Sequence, residues 1–277
     1  MYELLDPPAM TAPVLVIAFD GWVSAGSVGT TAADHLADDG PVVASFAPDR
    51  LFDFRVSRPT AIFREGILQE IEWPSLVVRH RCIDGRDVLV LTGPEPNWNW
   101  PEFAESVADL CAVLGVVEQI SIGGIPWAAP HTRPTEVVTT ASRADLLGPE
   151  SNAPDGDLQV PAALALVVEQ QVTGSGIPAI GFWARVPHYI GNVYYPGVME
   201  LVERVARHTG IDIPLGSLVD DSAAQRRQLA ALMETRPDAR QMVERYEQLA
   251  DAQDEASSGV DMTAEIERYL RDQIEGM

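Results

Sequence analysis

The chain has 277 residues, with 41 Asp and Glu against 19 Arg and no Lys, for a formal net charge of −22. That length allows about two domains or one large α/β domain, and it can bury a core without disulfides or a structural metal. The absence of lysine excludes Schiff-base lysines, lysine general bases and lysine phosphate clamps. The negative charge repels phosphate backbones, so nucleic acid is not an expected partner.

The opening MYELLDPPAM carries Glu3 and Asp6 and no basic stretch, so no cleavable signal is expected. The longest apolar run, Ala162–Val168, is seven residues, far below the roughly 20 that span a bilayer. Cytoplasmic placement without a membrane partner follows as the expectation. Cys82 and Cys111, the two cysteines, read as small buried hydrophobes in a reducing compartment, with a disulfide or a reactive thiol as the alternative.

Along the chain, VLVIAF (Val14–Phe19) is a run suited to a strand buried on both faces. A helix-compatible stretch, Ser27–Ala37, and a second strand from Pro41 follow. From Ile62 to Thr92 the pattern is strand-like. Ile67, Gln69, Ile71 and Trp73 sit among polar neighbours, and Asp84-Gly85 between two strand runs is a strong hairpin signal, so this section is expected to add antiparallel strands to a mixed sheet. Pro101 opens a predicted helix to Leu114 that Gly115 stops. VVEQISIGG is a strand turning at Gly123-Gly124, and Val137–Ala141 is extended. Residues 148–156 are loop-like, Pro161 opens a helix to Val172, IPAIGFWARV is a buried strand, and Pro196 opens a helix that Gly210 closes.

Strands alternating with helices predict a three-layer α/β/α domain with a mixed sheet over residues 1–215. Residues 216–277 form a charged helical extension. Its apolar stripes (Leu229, Leu232, Met233; Met242, Val243, Tyr246, Leu249; Ile266, Tyr269, Leu270, Ile274) suit packing on the chain's own core or on a partner.

Gly21 and Gly26 have the spacing of a phosphate-cradling loop, but Ser27 and Val28 stand where Lys and Ser/Thr are needed. The loop is then a tight structural turn, or its amides hold a weak anion or a carboxylate. GSGIPA (Gly174–Ala179) lies after a helix and before a strand, the reverse of a dinucleotide fingerprint, and Ser24 lacks the preceding glycine of a nucleophile elbow. No histidine pair or cysteine pair has metal-ligand spacing, and no cofactor is implied.

His131 and His188 each follow a predicted strand end, where ligands bind in open α/β sheets. Asp20, Gly21, Trp22, Gly123, Gly124, His131, Arg133, His188 and Tyr189 are therefore candidates to line one sheet edge. They act either as a ligand or partner site, in which an Asp–His pair could serve as acid and base, or as polar loop residues satisfying turns. Trp98 and Trp100 in PEPNWNW read as a core anchor or a partner contact.

VLVIAFDGWVSAGSVGTTAADHL (Val14–Leu36), ISIGGIPWAAPHTRP (Ile120–Pro134) and IPAIGFWARVPHYI (Ile177–Ile190), in that order, resemble the proteasome assembly chaperone family, chaperone-2 type, in its actinobacterial style. The resemblance spans roughly 14–218 and implies a phosphorylase/hydrolase-like α/β/α fold. It further implies oligomerisation, expected here as a small ring or a dimer with a trimer favoured, and protein partners such as proteasome-like subunits without established catalysis. Archaeal assembly factors of this type often end in a hydrophobic–tyrosine–any tripeptide. This chain ends Ile274-Glu275-Gly276-Met277, so that docking route is not expected. The function expected is a non-catalytic, assembly-chaperone-like interaction protein; the alternative is a small-ligand binder or hydrolase/phosphorylase-type enzyme working at the strand carboxyl edge.

Overall fold

The computed structural model describes residues 1–148, 151–154 and 156–252. The stripe from Ile266 to Ile274 and the terminal tripeptide lie outside the described residues. In chain order the elements are β1 (Tyr2–Leu4), β2 (Val14–Asp20), α1 (Val28–Ala37), β3 (Val42–Phe46), β4 (Thr60–Arg64), β5 (Ile67–Glu72), β6 (Val77–Ile83), β7 (Arg86–Pro94), α2 (Trp100–Leu114), β8 (Glu118–Trp127), β9 (Val137–Ala141), α3 (Leu164–Gly174), β10 (Ala179–Pro187), α4 (Tyr195–Thr209) and α5 (Leu218–Thr235). A further helix, α6, covers 237–252.

Eight strands form one sheet in the order β1-β3-β6-β7-β2-β8-β10-β9. The central strands β7, β2, β8 and β10 are parallel, and β1, β6 and β9 pair antiparallel to their neighbours. Successive strand side chains point to opposite faces, and β2 illustrates the consequence. Val14, Val16 and Ala18 enter a core with α1 and α4, while Leu15, Ile17 and Phe19 enter a second core with α2 and α3. Helices thus cover both faces, which is why the run could be apolar throughout. The expected three-layer architecture with a mixed sheet is what the chain adopts.

Local signals place several boundaries. Asp84 and Gly85 adopt φ 50° and 72° at the β6–β7 turn, the left-handed pair that a two-residue hairpin favours. Gly115 and Gly210 end α2 and α4 in the same region, with φ 71° and 67°. Four expectations need correction. The third helix starts at Leu164, not Pro161, because the Leu164 N–H is taken by the Glu95 carboxylate, 2.7 Å away. Strand β8 does not turn at Gly123-Gly124 but continues to Trp127; those glycines admit a neighbouring loop instead. The segment around Ile67–Trp73 does not join the main sheet, because β3 is already paired by β1 and β6, and β4 and β5 pair only with each other. Finally, Cys111 is buried but Cys82 is exposed, lying just before the Asp84–Gly85 turn.

The parallel strands share one carboxyl edge. Strand β3 runs with them, since it is antiparallel to β6 and β6 is antiparallel to β7. Phe46, Asp20, Pro94, Trp127 and Pro187 therefore end their strands on the same side of the molecule.

Candidate functional site

Asp20 ends β2 at this edge, and the chain turns through Gly21–Ser27 into α1. The turn is satisfied from within. Ser24 Oγ donates to the Gly21 carbonyl at 2.7 Å, the Ser27 N–H donates to the Ser24 carbonyl at 2.9 Å, and the Gly124 N–H donates to the Val23 carbonyl at 2.8 Å. Gly123 and Gly124 serve this packing: a Cβ on Gly124 would stand 2.4 Å from the Ala25 carbonyl oxygen, and one on Gly123 2.8 Å from that of Val23.

A carboxylate does sit at the turn, and it is the chain's own. Glu95 follows β7, its N–H donating to the Asp20 carbonyl at 2.9 Å. One carboxylate oxygen accepts from Leu164 N–H and the other from Trp22 N–H at 3.3 Å. A negative charge at the start of α3 is favourable to the helix dipole. Gly21 is required by this approach, since a Cβ there would lie 2.4 Å from Glu95 Oε2. Sequence reasoning missed Glu95; its position just beyond a parallel strand was the available signal. Glu95→Ala is expected to cost about 1–3 kcal/mol, since two amide donors lose a charged acceptor. Denaturant midpoints measure this, and an unchanged midpoint would show that the turn is held by other contacts.

The second group of predicted residues comes together around Tyr189. The His131 N–H donates to Tyr189 Oη at 2.9 Å, and His131 Nδ1 lies 2.9 Å from the same oxygen. His188 packs edge-on to Tyr189, ring centroids 5.6 Å apart. Helix α6 lies across this group. His188 Nε2 is 2.8 Å from Tyr246 Oη, Thr132 donates to Glu247, and Arg133 grips Asp251 through two bonds of 3.0 and 2.9 Å. Burial pushes the Tyr189 phenol up to about 12 and holds His131 below the usual histidine range. His131 is 2% exposed, and its Nε2 has no hydrogen-bond partner.

The predicted edge residues therefore fall into two groups. Asp20, Gly21 and Trp22 stand with Glu95, and His131, Arg133, His188 and Tyr189 stand with α6. Among the described residues no hydrogen bond, ion pair or ring contact joins Asp20 to either histidine. No group of three or more His, Cys, Asp or Glu there is placed to hold a metal ion, and no helix is long and apolar enough to cross a membrane.

The carboxyl edge also carries large apolar side chains left in solvent, including three of the four exposed tryptophans. Trp22 is 64% exposed, and Trp98, Trp127, Leu158 and Val160 are exposed on loops or strand ends of the same side. Trp100 by contrast is half-buried, its indole N–H donating to the Pro96 carbonyl at 2.7 Å. On the opposite side Leu4, Leu5, Val113 and Val117 are exposed. Tryptophan is enriched at protein interfaces relative to the rest of the surface.

A three-layer α/β/α protein with a mixed sheet, an apolar carboxyl edge and its own C-terminal helix laid over part of that edge is the class these features define. Within that class, the chain belongs to the PAC2 family, whose model matches residues 18–233. It is similar to a protein of unknown function from Mycobacterium tuberculosis, Rv2714, at 30% identity over 94% of this chain and 91% of that one, with a TM-score of 0.86. It is similar to a Corynebacterium glutamicum protein of unknown function at 29% identity over 91% and 98%, TM-score 0.85. A third similar structure, the M. tuberculosis proteasome-assembly chaperone homologue Rv2125, is 29% identical over 79% and 94%, TM-score 0.74. No curated protein sequence matches the chain.

Proposed function

We propose that this chain is a non-catalytic interaction protein with an assembly-chaperone-like role, holding protein partners at the carboxyl edge of its sheet. The observation that carries this reading is the presence of three exposed tryptophans, Trp22, Trp98 and Trp127, at that edge, beside a glycine loop whose amides are used internally. Similarity to a proteasome-assembly chaperone homologue supports protein partners, with proteasome-like subunits the first to test. The proposed contact residues are Asp20, Gly21, Trp22, Gly123, Gly124, His131, Arg133, His188 and Tyr189, with the glycines acting through the backbone they allow. Residues 1–215 are the proposed core and 216–277 its extension, in a cytoplasmic chain that self-associates into a closed oligomer, a trimer being favoured. Purifying tagged chain from its native host tests the reading: a protein partner should co-purify in fixed proportion, and recovery of nothing but the chain itself would overturn it.

One observation favours a small-ligand reading. A cavity of about 430 Å³ lies between the His131–Thr132 segment and helices α5 and α6, lined also by Met233, Glu234, Arg240 and Val243. Its buried His131 Nε2 has no hydrogen-bond partner. A thermal-shift screen with nucleosides, phosphate and small peptides tests it, and a shift abolished by His131→Asn would establish the site.

A further inference from the structure

The cavity between the His131–Thr132 segment and helices α5 and α6 has one buried donor at its inner end. His131 is 2% exposed, and Tyr189 occupies the Nδ1 side of its ring. The balance of hydrogens there assigns the tautomer. Tyr189 Oη accepts the His131 backbone N–H at 2.9 Å, which leaves the phenol's own proton to be donated. Among the described residues the one acceptor within bonding distance is His131 Nδ1, also at 2.9 Å. With Nδ1 accepting, a neutral imidazole carries its proton on Nε2. Burial supports the neutral form, because it disfavours the charged imidazolium. Nε2–H is therefore a donor, on a residue that lines the cavity, and it has no partner. Buried polar groups are seldom left so, and an acceptor brought to this one gains a bond without breaking another.

The rest of the lining is apolar wall and acidic rim. Met233 and Val243 form the wall, and Glu234, Glu244, Glu247 and Arg240 carry the charge. Glu244 accepts from Arg240 Nε at 2.9 Å. Glu247 accepts from the Thr132 hydroxyl and lies 3.9 Å from Arg133, which itself grips Asp251. Arg226 also acts on His131 from α5, and three carboxylates against Arg240 and Arg226 still leave the surroundings net negative. Glu234 is exposed near the end of α5 and makes no hydrogen bond or ion pair among the described residues.

These properties select a ligand. An acceptor must reach Nε2–H, yet the rim carboxylates and a chain charge of −22 oppose a full anion such as phosphate or a free carboxylate. A neutral carbonyl supplies the acceptor without that repulsion. An aliphatic stem suits Met233 and Val243, and a cationic head suits Glu234, the rim carboxylate left without a partner. The volume, about 430 Å³, falls within the roughly 300–1,000 Å³ of small-molecule sites.

We infer that this cavity binds a small cationic amide, its carbonyl oxygen accepting from His131 Nε2–H and its positive head held by Glu234. The inference rests on the small-ligand reading above and gives that site its ligand class. Calorimetric titration of the full chain with L-argininamide tests it, beside agmatine, which keeps the guanidinium and lacks the carbonyl, and inorganic phosphate. L-Argininamide should bind at one site with a Kd of about 1 mM or tighter. Agmatine should bind at least about threefold more weakly, and phosphate should give no signal. Glu234→Gln changes an exposed side chain, so the variant should melt as the wild type does while binding L-argininamide about threefold more weakly. In chain labelled with heavy-nitrogen histidine, the His131 Nε2 resonance should move on adding L-argininamide. Binding that leaves this resonance in place, or that Glu234→Gln does not weaken, is attraction to an acidic surface and would overturn the inference. Phosphate or agmatine binding at least as tightly while moving the resonance would overturn the ligand class and leave a small-ligand site standing. Binding by none of the three would also overturn the inference, and the wider thermal-shift screen then decides the small-ligand reading separately.

Discussion

Gly124→Val is expected to cost about 3 kcal/mol of folding stability. A Cβ on residue 124 would stand 2.4 Å from the Ala25 carbonyl oxygen and 2.5 Å from Val28 Cγ2. The first obstacle is backbone and the second belongs to a fully buried residue of α1, so neither can swing aside as a flexible side chain would. Overpacking of this kind typically costs 1–3 kcal/mol. Here it also threatens the Gly124 N–H bond to Val23, which ties the first loop to β8. Gly174→Ala is the matched control, because a Cβ there meets nothing within 4 Å and Ala is the better helix former. Chemical denaturation of both variants measures the difference. A loss below 1 kcal/mol at residue 124 would mean that the loop yields, and the close approach of loop and strand would not be the constraint described.

Glu169→Gln is expected to stabilise the protein by up to about 2 kcal/mol at neutral pH and by nothing near pH 4. Glu169 sits on α3 with one carboxylate oxygen buried and without a hydrogen-bond partner, and burial pushes its carboxyl from 4.5 up to about 6. Each pKa unit corresponds to about 1.4 kcal/mol between protonation states. Below pH 4.5 the carboxyl is protonated whether the chain is folded or not, so it contributes no penalty. As pH rises towards 6 the unfolded chain releases the proton first, and the folded state loses stability until its own carboxyl ionises. Glutamine removes the ionisation at nearly the same shape. Melting temperatures across pH 4 to 8 should separate progressively above pH 4.5, by roughly 4–8 °C at the top of the range for a domain of this size. Parallel curves for the two proteins would show that Glu169 is not held in a penalising site.

Much of the core was legible in the sequence because its signals are local. The apolar run of β2, the Asp84-Gly85 turn and the closing glycines Gly115 and Gly210 each encode a conformation within a few residues, and each is realised. The Ile67–Trp73 pattern was read correctly as strand but given the wrong sheet, since alternation specifies a pleated strand and not its neighbour. Edge residues were harder. His131, Arg133, His188 and Tyr189 were grouped by their place after strand ends, and they do converge. Their partners Tyr246, Glu247 and Asp251 lie 58 to 118 residues away along the chain, and no local pattern links them. The stripe on that helix was visible and includes Tyr246, but not Glu247 or Asp251, and only part of it is buried: Val243 is buried, whereas Leu249 is 51% exposed. Glu95 was illegible for the same reason, because its two amide partners come from the loop after β2 and the start of α3.

The carboxyl edge as the surface that holds protein partners is tested most directly by two charge insertions on opposite sides of the sheet. Trp22→Arg/Trp98→Arg alters the carboxyl edge and Val113→Arg the opposite one, all at side chains exposed in the single chain. Each variant, tagged and purified from the native host beside the wild type, is compared by quantitative mass spectrometry of what accompanies it. Co-purifying proteins should be retained by Val113→Arg and fall at least about tenfold with the tryptophan variant. The same proteins in the same yield from both would contradict the assignment of this edge.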